Sequence, residues 1–285
     1  MKFQVFKTLV FFVFMISATS CEKSDVKDRP LEAAEEIDVA YGLHEQNELD
    51  VYLPAGRSDT TKVIILLHGG GWIEGDKDSL SEYALHFRDR GFAVVNMNYR
   101  LAVAPDSNAH PTQEQDIAAA VDFVTSKAID WNISKDKFAM VGVSAGAHLA
   151  LLYTYIYNTN GKIKTVISLA GPTNLTDAEG VEPAQAAAVR TLMGVDFNEV
   201  NLPQYIQASP LARVNSLSKP TLIIHGKNDE TVPIKQSRDL HAKLTQLNVI
   251  NELIEVPGVG HDIFNDSNRE ELLEAIEVWF RENIK

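Results

Sequence analysis

The stretch Gly142-Val143-Ser144-Ala145-Gly146 stands where one apolar run stops and another, apolar nearly all round, begins. A hydroxyl between two glycines at such a junction suits a turn too sharp for bulky neighbours. The turn would lift the serine oxygen above the strand ends, where ligands of open α/β sheets bind. It would also aim the N-terminus of the next helix at the same point, which favours developing negative charge. The chemistry this suggests is nucleophilic attack. A serine hydroxyl attacks only with a base to take its proton, and the base needs an acid to orient it.

Eight histidines are candidates for the base. His261 lies in "VPGVGHDIF", after the last apolar strand and before the final helix, on a loop able to swing an imidazole over Ser144. The other seven read as structural or solvated. His68 and His225 each end an apolar strand before a glycine, which suits a buried, hydrogen-bonded ring. His148 follows the serine on its helix and reads as packed. His110 is in a proline-flanked loop, His44 and His86 are in surface-like stretches, and His241 is on an exposed helix. For the acid, "LIIHGKNDETVP" offers Asp229 and Glu230 just past a strand. Asp262 is a rival, but it adjoins His261, and neighbouring side chains in a loop seldom face each other well. Attack on a carbonyl also needs donors for an oxyanion. In "LLHGGGW", the glycines from Gly69 to Gly71 let backbone N–H groups approach a substrate oxygen with no Cβ in the way.

These residues need a scaffold that brings them together. Seven β-rich runs recur: "LDVYLP", "KVIILLHGG", "FAVVNMNYR", "FAMVGVS", "TVISLAG", "TLIIHG" and "NELIEVPG". Four, starting at Val63, Ala93, Phe138 and Thr221, are apolar on both faces, as in a mostly parallel sheet covered by helices. Helical stretches fall between them, including "QDIAAAVDFVTSKA" and "AHLALLYTYIY". In the last, "SNREELLEAIEVWFREN", Leu272, Leu273, Ile276, Trp279 and Phe280 share a stripe, and Ser267 and Glu270 have capping-box spacing. Strands alternating with helices predict an α/β domain with right-handed crossovers. From about 172 to 219 no strong strand is predicted. This excursion reads either as a small helical cap over the site or as a surface insertion.

The N-terminus reads differently. Lys2 and Lys7 precede the apolar run "LVFFVFMI", about half the length of a membrane span, and "SATSC" follows. The segment resembles a bacterial lipoprotein signal, whose closing cysteine becomes lipidated. That implies a signal peptide over 1–20, lipidation at Cys21, and an exported protein anchored in the cell envelope, in the periplasm or outer membrane. Cys21 is the only cysteine, so no disulfide forms within the chain. Residues 21–36 read as a charged tether, and 37–285 as the folded domain. The formal charge of −13 becomes −15 once Lys2 and Lys7 leave with the signal. So acidic a chain has little to offer a phosphate backbone, and nucleic acid is not an expected partner.

Taken together, the glycine-rich "HGGGW", G-x-S-x-G at Ser144, "NMNYRL" at Asn96–Leu101 and the H-G-x-x-D-x-x-V-P pattern ending "LIIHG" resemble the α/β-hydrolase serine esterase/lipase group. The resemblance covers nearly all of 40–285. It implies a central sheet flanked by helices, with a triad in the chain order Ser144, Asp229, His261. It also implies an oxyanion hole from the N–H groups of Gly70, Gly71 and Ala145, and Trp72 on the wall of the substrate pocket. The implied reaction is hydrolysis of a short-acyl or carbohydrate-linked ester, with no metal or organic cofactor. "ASPLARVNSLSKPTLIIHGKNDETVP" also echoes prolyl-oligopeptidase-like and formamidase relatives, which leaves amide cleavage as an alternative. A non-catalytic binding lipoprotein is a third reading, disfavoured by the complete set of residues.

Overall fold

The computed structural model describes residues 30–177, 183–265 and 267–285. The signal segment, Cys21 and most of the tether lie outside the described residues. Eight strands form one sheet: β1 (Ala34–Ala40), β2 (Glu48–Leu53), β3 (Val63–Leu67), β4 (Ala93–Met97), β5 (Phe138–Val143), β6 (Ile163–Leu169), β7 (Thr221–Gly226) and β8 (Asn251–Val256). Their order is β1-β2-β4-β3-β5-β6-β7-β8. The first two pairings, β1 with β2 and β2 with β4, are antiparallel, and all others are parallel. All seven predicted runs are strands. Every residue of β3 is buried, and its side chains divide by parity. Val63, Ile65 and Leu67 enter one core, while Ile64 and Leu66 enter the other. This is the period-2 alternation of a strand covered on both faces.

One core is closed by α2 (Thr112–Trp131), α3 (Ala145–Leu152) and α7 (Lys235–Gln246), which bring Ile117, Leu149 and Leu240 to it. The opposite core is closed by α1 (Ser81–Arg88) and α8 (Arg269–Asn283) through Phe87, Leu273 and Phe280. Among the described residues no helix is long and apolar enough to cross a membrane. Between β6 and β7 the chain forms α4 (Pro183–Met193), α5 (Leu202–Gln207) and α6 (Pro210–Arg213), with no strand among the described residues.

Two expectations are corrected. The tether does not reach residue 36, because Ala34–Glu36 already pair with Leu53, Tyr52 and Val51 in β2. This edge strand is mostly exposed, so its composition matches that of a solvated segment. The capping box at Ser267 does not form either. Its hydroxyl donates to Asn265 Oδ1 at 2.6 Å, and α8 starts after Asn268 with no side-chain cap bond.

The strand order explains where the chemistry sits. From β3 the chain moves to β4 on one side, then returns to β5 on the other. The loops after β3 and β5 therefore leave the sheet on either side of the point where winding reverses, where ligands bind in such sheets. Register sets their closeness, since Leu67 is paired with Gly142. The glycines here are steric necessities. A Cβ on Gly146 would overlap the carbonyl oxygens of Leu67 and His68, and one on Gly142 would overlap the carbonyl of Gly146. A Gly146→Ala variant should therefore lose about 3 kcal/mol or more of unfolding free energy. Urea titration followed by circular dichroism measures this, and a midpoint equal to wild type would refute the steric reading.

Candidate active site

Ser144 joins β5 directly to α3, with φ 52° and ψ −117°. This backbone conformation is uncommon for a residue with a side chain. Its N–H donates to the Leu169 carbonyl at 2.8 Å, and its own carbonyl accepts from Ala147 and His148. The turn is thus fixed on both sides and leaves the hydroxyl free to face the cleft. His261, from the loop between β8 and α8, places Nε2 at 2.9 Å from Ser144 Oγ. Its Nδ1 lies 2.8 Å from Asp229 Oδ2. Asp229 follows β7, and its Oδ1 accepts N–H bonds from Thr231 and Val232, both at 2.9 Å. Glu230 and Asp262, the rival acids, make no hydrogen bond to His261 among the described residues, and both are exposed.

Asp229 is a buried carboxylate. Burial alone would raise its pKa, but hydrogen bonds from His225, His261 and the Val232 N–H hold it well below the usual carboxylate range. It therefore stays charged at any pH where His261 could act as a base. His225, expected as a buried, hydrogen-bonded ring, is fully buried and is also a partner of Asp229. Its Nε2 lies 2.9 Å from the Val232 carbonyl and 3.0 Å from Asp229 Oδ2. Both are acceptors, so the proton is on Nε2. Nδ1 then accepts from the Ser237 hydroxyl at 2.6 Å. The only sequence signal for this role is the spacing of His225 and Asp229, which places both at the end of one strand.

The loop after β3 lies against the serine. A Cβ on Gly69 would stand 3.4 Å from Ser144 Cβ. Gly70 and Gly71 have φ of 111° and 57°. The N–H groups of Gly70, Gly71 and Ala145 have no acceptor among the described residues, and all three residues line the cleft that Ser144 opens into. The loop is anchored beneath by His68, stacked on Tyr99 at 4.4 Å and 9°. The Tyr99 hydroxyl donates to the His68 carbonyl at 2.8 Å.

Trp72 also borders the cleft, but its ring is largely packed, with the residue 3% exposed. Its indole N–H donates to His148 Nδ1 at 3.2 Å, and His148 Nε2–H donates to the Ala208 carbonyl at 2.8 Å. The Trp72–His148 pair thus ties the glycine loop to α3 and to the segment between α5 and α6. The cleft measures about 1250 Å³, and Leu175, Val189, Phe197 and Tyr205 of the excursion between β6 and β7 contribute to its wall. Gln236, on α7, was not singled out from sequence. It lines the cleft, and its Oε1 accepts the N–H groups of Thr173 and Asn174 at 2.7 and 2.9 Å.

A sheet whose winding reverses beside a strand–serine–helix turn, with imidazole and carboxylate in line behind the hydroxyl, defines an α/β hydrolase. Within that class the chain belongs to the BD-FAE family, whose model matches residues 49–244. It is 25% identical over 231 residues to the probable carboxylic ester hydrolase LipM of Mycobacterium tuberculosis, covering 75% of this chain and 52% of that protein. It is 27% identical over 246 residues to esterase LipQ of the same organism, covering 80% and 57%. The chain spans about half the length of the curated relatives it matches. A truncated carbohydrate esterase from gut microbiota shares the fold with a TM-score of 0.75 at 22% identity, covering 87% of this chain and 96% of that one.

His148 supplies a pH test. Burial pushes its pKa down from 6.5 to about 4. The unfolded chain therefore takes up a proton there that the folded chain refuses. The resulting stability is complete above about pH 6.5 and is lost as pH falls toward 4, by up to about 3 kcal/mol. A His148→Asn variant should show a flatter dependence of unfolding free energy on pH across that window. An unchanged slope would refute the assignment.

Proposed function

We propose that the protein is a serine carboxylic-ester hydrolase working through an acyl-enzyme on Ser144. The hydrogen-bonded line from Ser144 Oγ through His261 to Asp229 is the observation that carries this reading. As Oγ attacks the ester carbonyl carbon, its proton passes to His261 Nε2, and the carbonyl electron pair moves onto oxygen. Asp229 accepts from Nδ1–H, keeps the tautomer that leaves Nε2 basic, and stabilises the imidazolium. The oxyanion sits among the N–H groups of Gly70, Gly71 and Ala145. Collapse breaks the bond to the alcohol oxygen, which leaves with the proton from Nε2. Water then repeats the sequence on the acyl-enzyme, releases the acid and restores Ser144. The chemistry calls for no metal or organic cofactor.

The substrates proposed are small-molecule esters, of short acyl groups or linked to carbohydrate. The open cleft supports the carbohydrate reading, since it has room beyond a short acyl chain. The sequence of the first 21 residues supports export and anchoring through lipidated Cys21. In cells, a Cys21→Ser variant should move from the membrane fraction to the soluble fraction; unchanged partitioning would refute lipidation.

Ser144→Ala should abolish hydrolysis of 4-nitrophenyl acetate, and Asp229→Asn should lower kcat by roughly 10³- to 10⁴-fold. Undiminished turnover by either variant would overturn the assignment. A parallel panel of acetylated and feruloylated sugars, with a peptide 4-nitroanilide, separates ester from amide cleavage. Faster turnover of the anilide would favour the amide reading.

A further inference from the structure

Lys77 is a buried lysine that the proposed reaction does not use. It opens the short 3-10 helix Lys77–Leu80, directly after the glycine loop returns from the cleft. Its Nζ lies 2.7 Å from Asp38 Oδ1 and 3.1 Å from Asp50 Oδ1, with Asp78 Oδ1 at 3.6 Å. Asp38 and Asp50 belong to β1 and β2, at the margin of the sheet. The Asp38 N–H donates to Asp50 Oδ1 at 2.9 Å, so the two acids form one receptor for the ammonium.

The peptide of Lys77 is held as firmly as its side chain. Its N–H donates to Asn98 Oδ1 at 2.7 Å, and Asn96 Nδ2 donates to its carbonyl at 2.6 Å. Asn98 Nδ2 also donates to Asp76 Oδ2 at 2.9 Å. Both asparagines belong to "NMNYRL", a motif to which the sequence reading gave no task. Lys77 is thus bonded at its N–H, its carbonyl and its ammonium.

The chain just before it is packed on the oxyanion donors. The Gly70 carbonyl accepts the N–H groups of Ile73 and Glu74 at 3.1 and 3.0 Å. A Cβ on Gly70 would overlap the Glu74 carbonyl, and one on Gly75 would overlap the Gly69 carbonyl and stand 2.6 Å from the His68 ring. Glu74 and Gly75 therefore lie in direct backbone contact with Gly69 and Gly70, and an inward shift of either would displace them. We propose that Lys77 is a positioning residue for the reaction: clamped by Asp38, Asp50, Asn96 and Asn98, it holds the returning strand of the glycine loop, and so the Gly70 and Gly71 N–H groups, at the oxyanion position. The inference rests on the esterase reading for its catalytic consequence, though not for its structural one. Burial alone would lower the Lys77 pKa, but the two carboxylates raise it above the ordinary lysine value, so the clamp remains charged at physiological pH.

The test uses the full chain, with Lys77→Met and Asp38→Asn. The second variant is the milder one, because the Asp38 side chain is 64% exposed and Asp50 remains to hold the ammonium. Two readouts are taken: amide hydrogen exchange across the whole chain, and kcat and KM for 4-nitrophenyl acetate. Exchange should rise about tenfold or more in 69–80 and stay at wild-type rates around Ser144 and His261. In Lys77→Met, kcat should fall about 10- to 100-fold with KM changed by less than about threefold. Asp38→Asn should shift both readouts the same way by severalfold, and it decides the matter if Lys77→Met does not fold. Unchanged exchange in 69–80, a uniform rise over the whole chain, or a wild-type kcat in a folded variant would overturn the proposal. An inactive wild type would instead overturn the esterase reading, and the exchange data would still judge the clamp.

Discussion

The rest of the structure depends on the turn at Ser144. A residue bearing a side chain is held at positive φ, at a cost of about 1–3 kcal/mol, where a strand becomes a helix with no intervening loop. The surroundings over-determine that conformation. Gly142 and Gly146 remove the Cβ atoms that would collide with the backbone of the turn and of β3. The bond from the Ser144 N–H to the Leu169 carbonyl ties the turn to the neighbouring strand. Parallel pairing of β3 with β5 then brings the glycine loop to the serine by register alone.

Charge is managed by a similar over-determination. A buried carboxylate with one hydrogen-bond partner would cost several kcal/mol. Asp229 has four donors: two backbone N–H groups and the N–H groups of His225 and His261. Three of them do not depend on His261, so Asp229 can remain ionised when that ring moves or changes protonation. The carboxylate is thus held and charged by the fold itself, which is the preorganisation the proposed reaction calls for.

Much of this was legible in the sequence because the central strands are buried on both faces and the turn tolerates few residue types. The seven strand runs, the serine, the late histidine and the carboxylate after β7 all follow from such constraints. The hidden features share a physical cause. β1 is mostly exposed, and a register shift between Glu36 and Val39 leaves Ala34 and Val39, five residues apart, as its two partly buried positions, so no regular period of two marks it. Ser267 bonds to Asn265 rather than to a helix N–H, a choice between neighbouring polar side chains that spacing does not decide. Gln236 and Lys77 matter through partners far along the chain, and a single sequence does not announce those pairings. His225 reaches Asp229 only four residues on, through the fold of the turn after β7 rather than through a motif. Trp72, expected on the pocket wall, does border the cleft, and the bond from its indole N–H to His148 is the part no motif announces.

The exposed margin strand has a consequence for life among other proteins. Among the described residues no strand pairs with the outer edge of β1, such an edge is a template for illicit pairing, and Ile37 on it is 51% exposed. Glu36 and Asp38 flank it. A second chain adding itself there would have to strip water from those acids, Asp38 being already engaged with Lys77. Such charges act as gatekeepers against fibril-like growth. One aspartate therefore serves both the solubility of the sheet edge and the interior of the molecule.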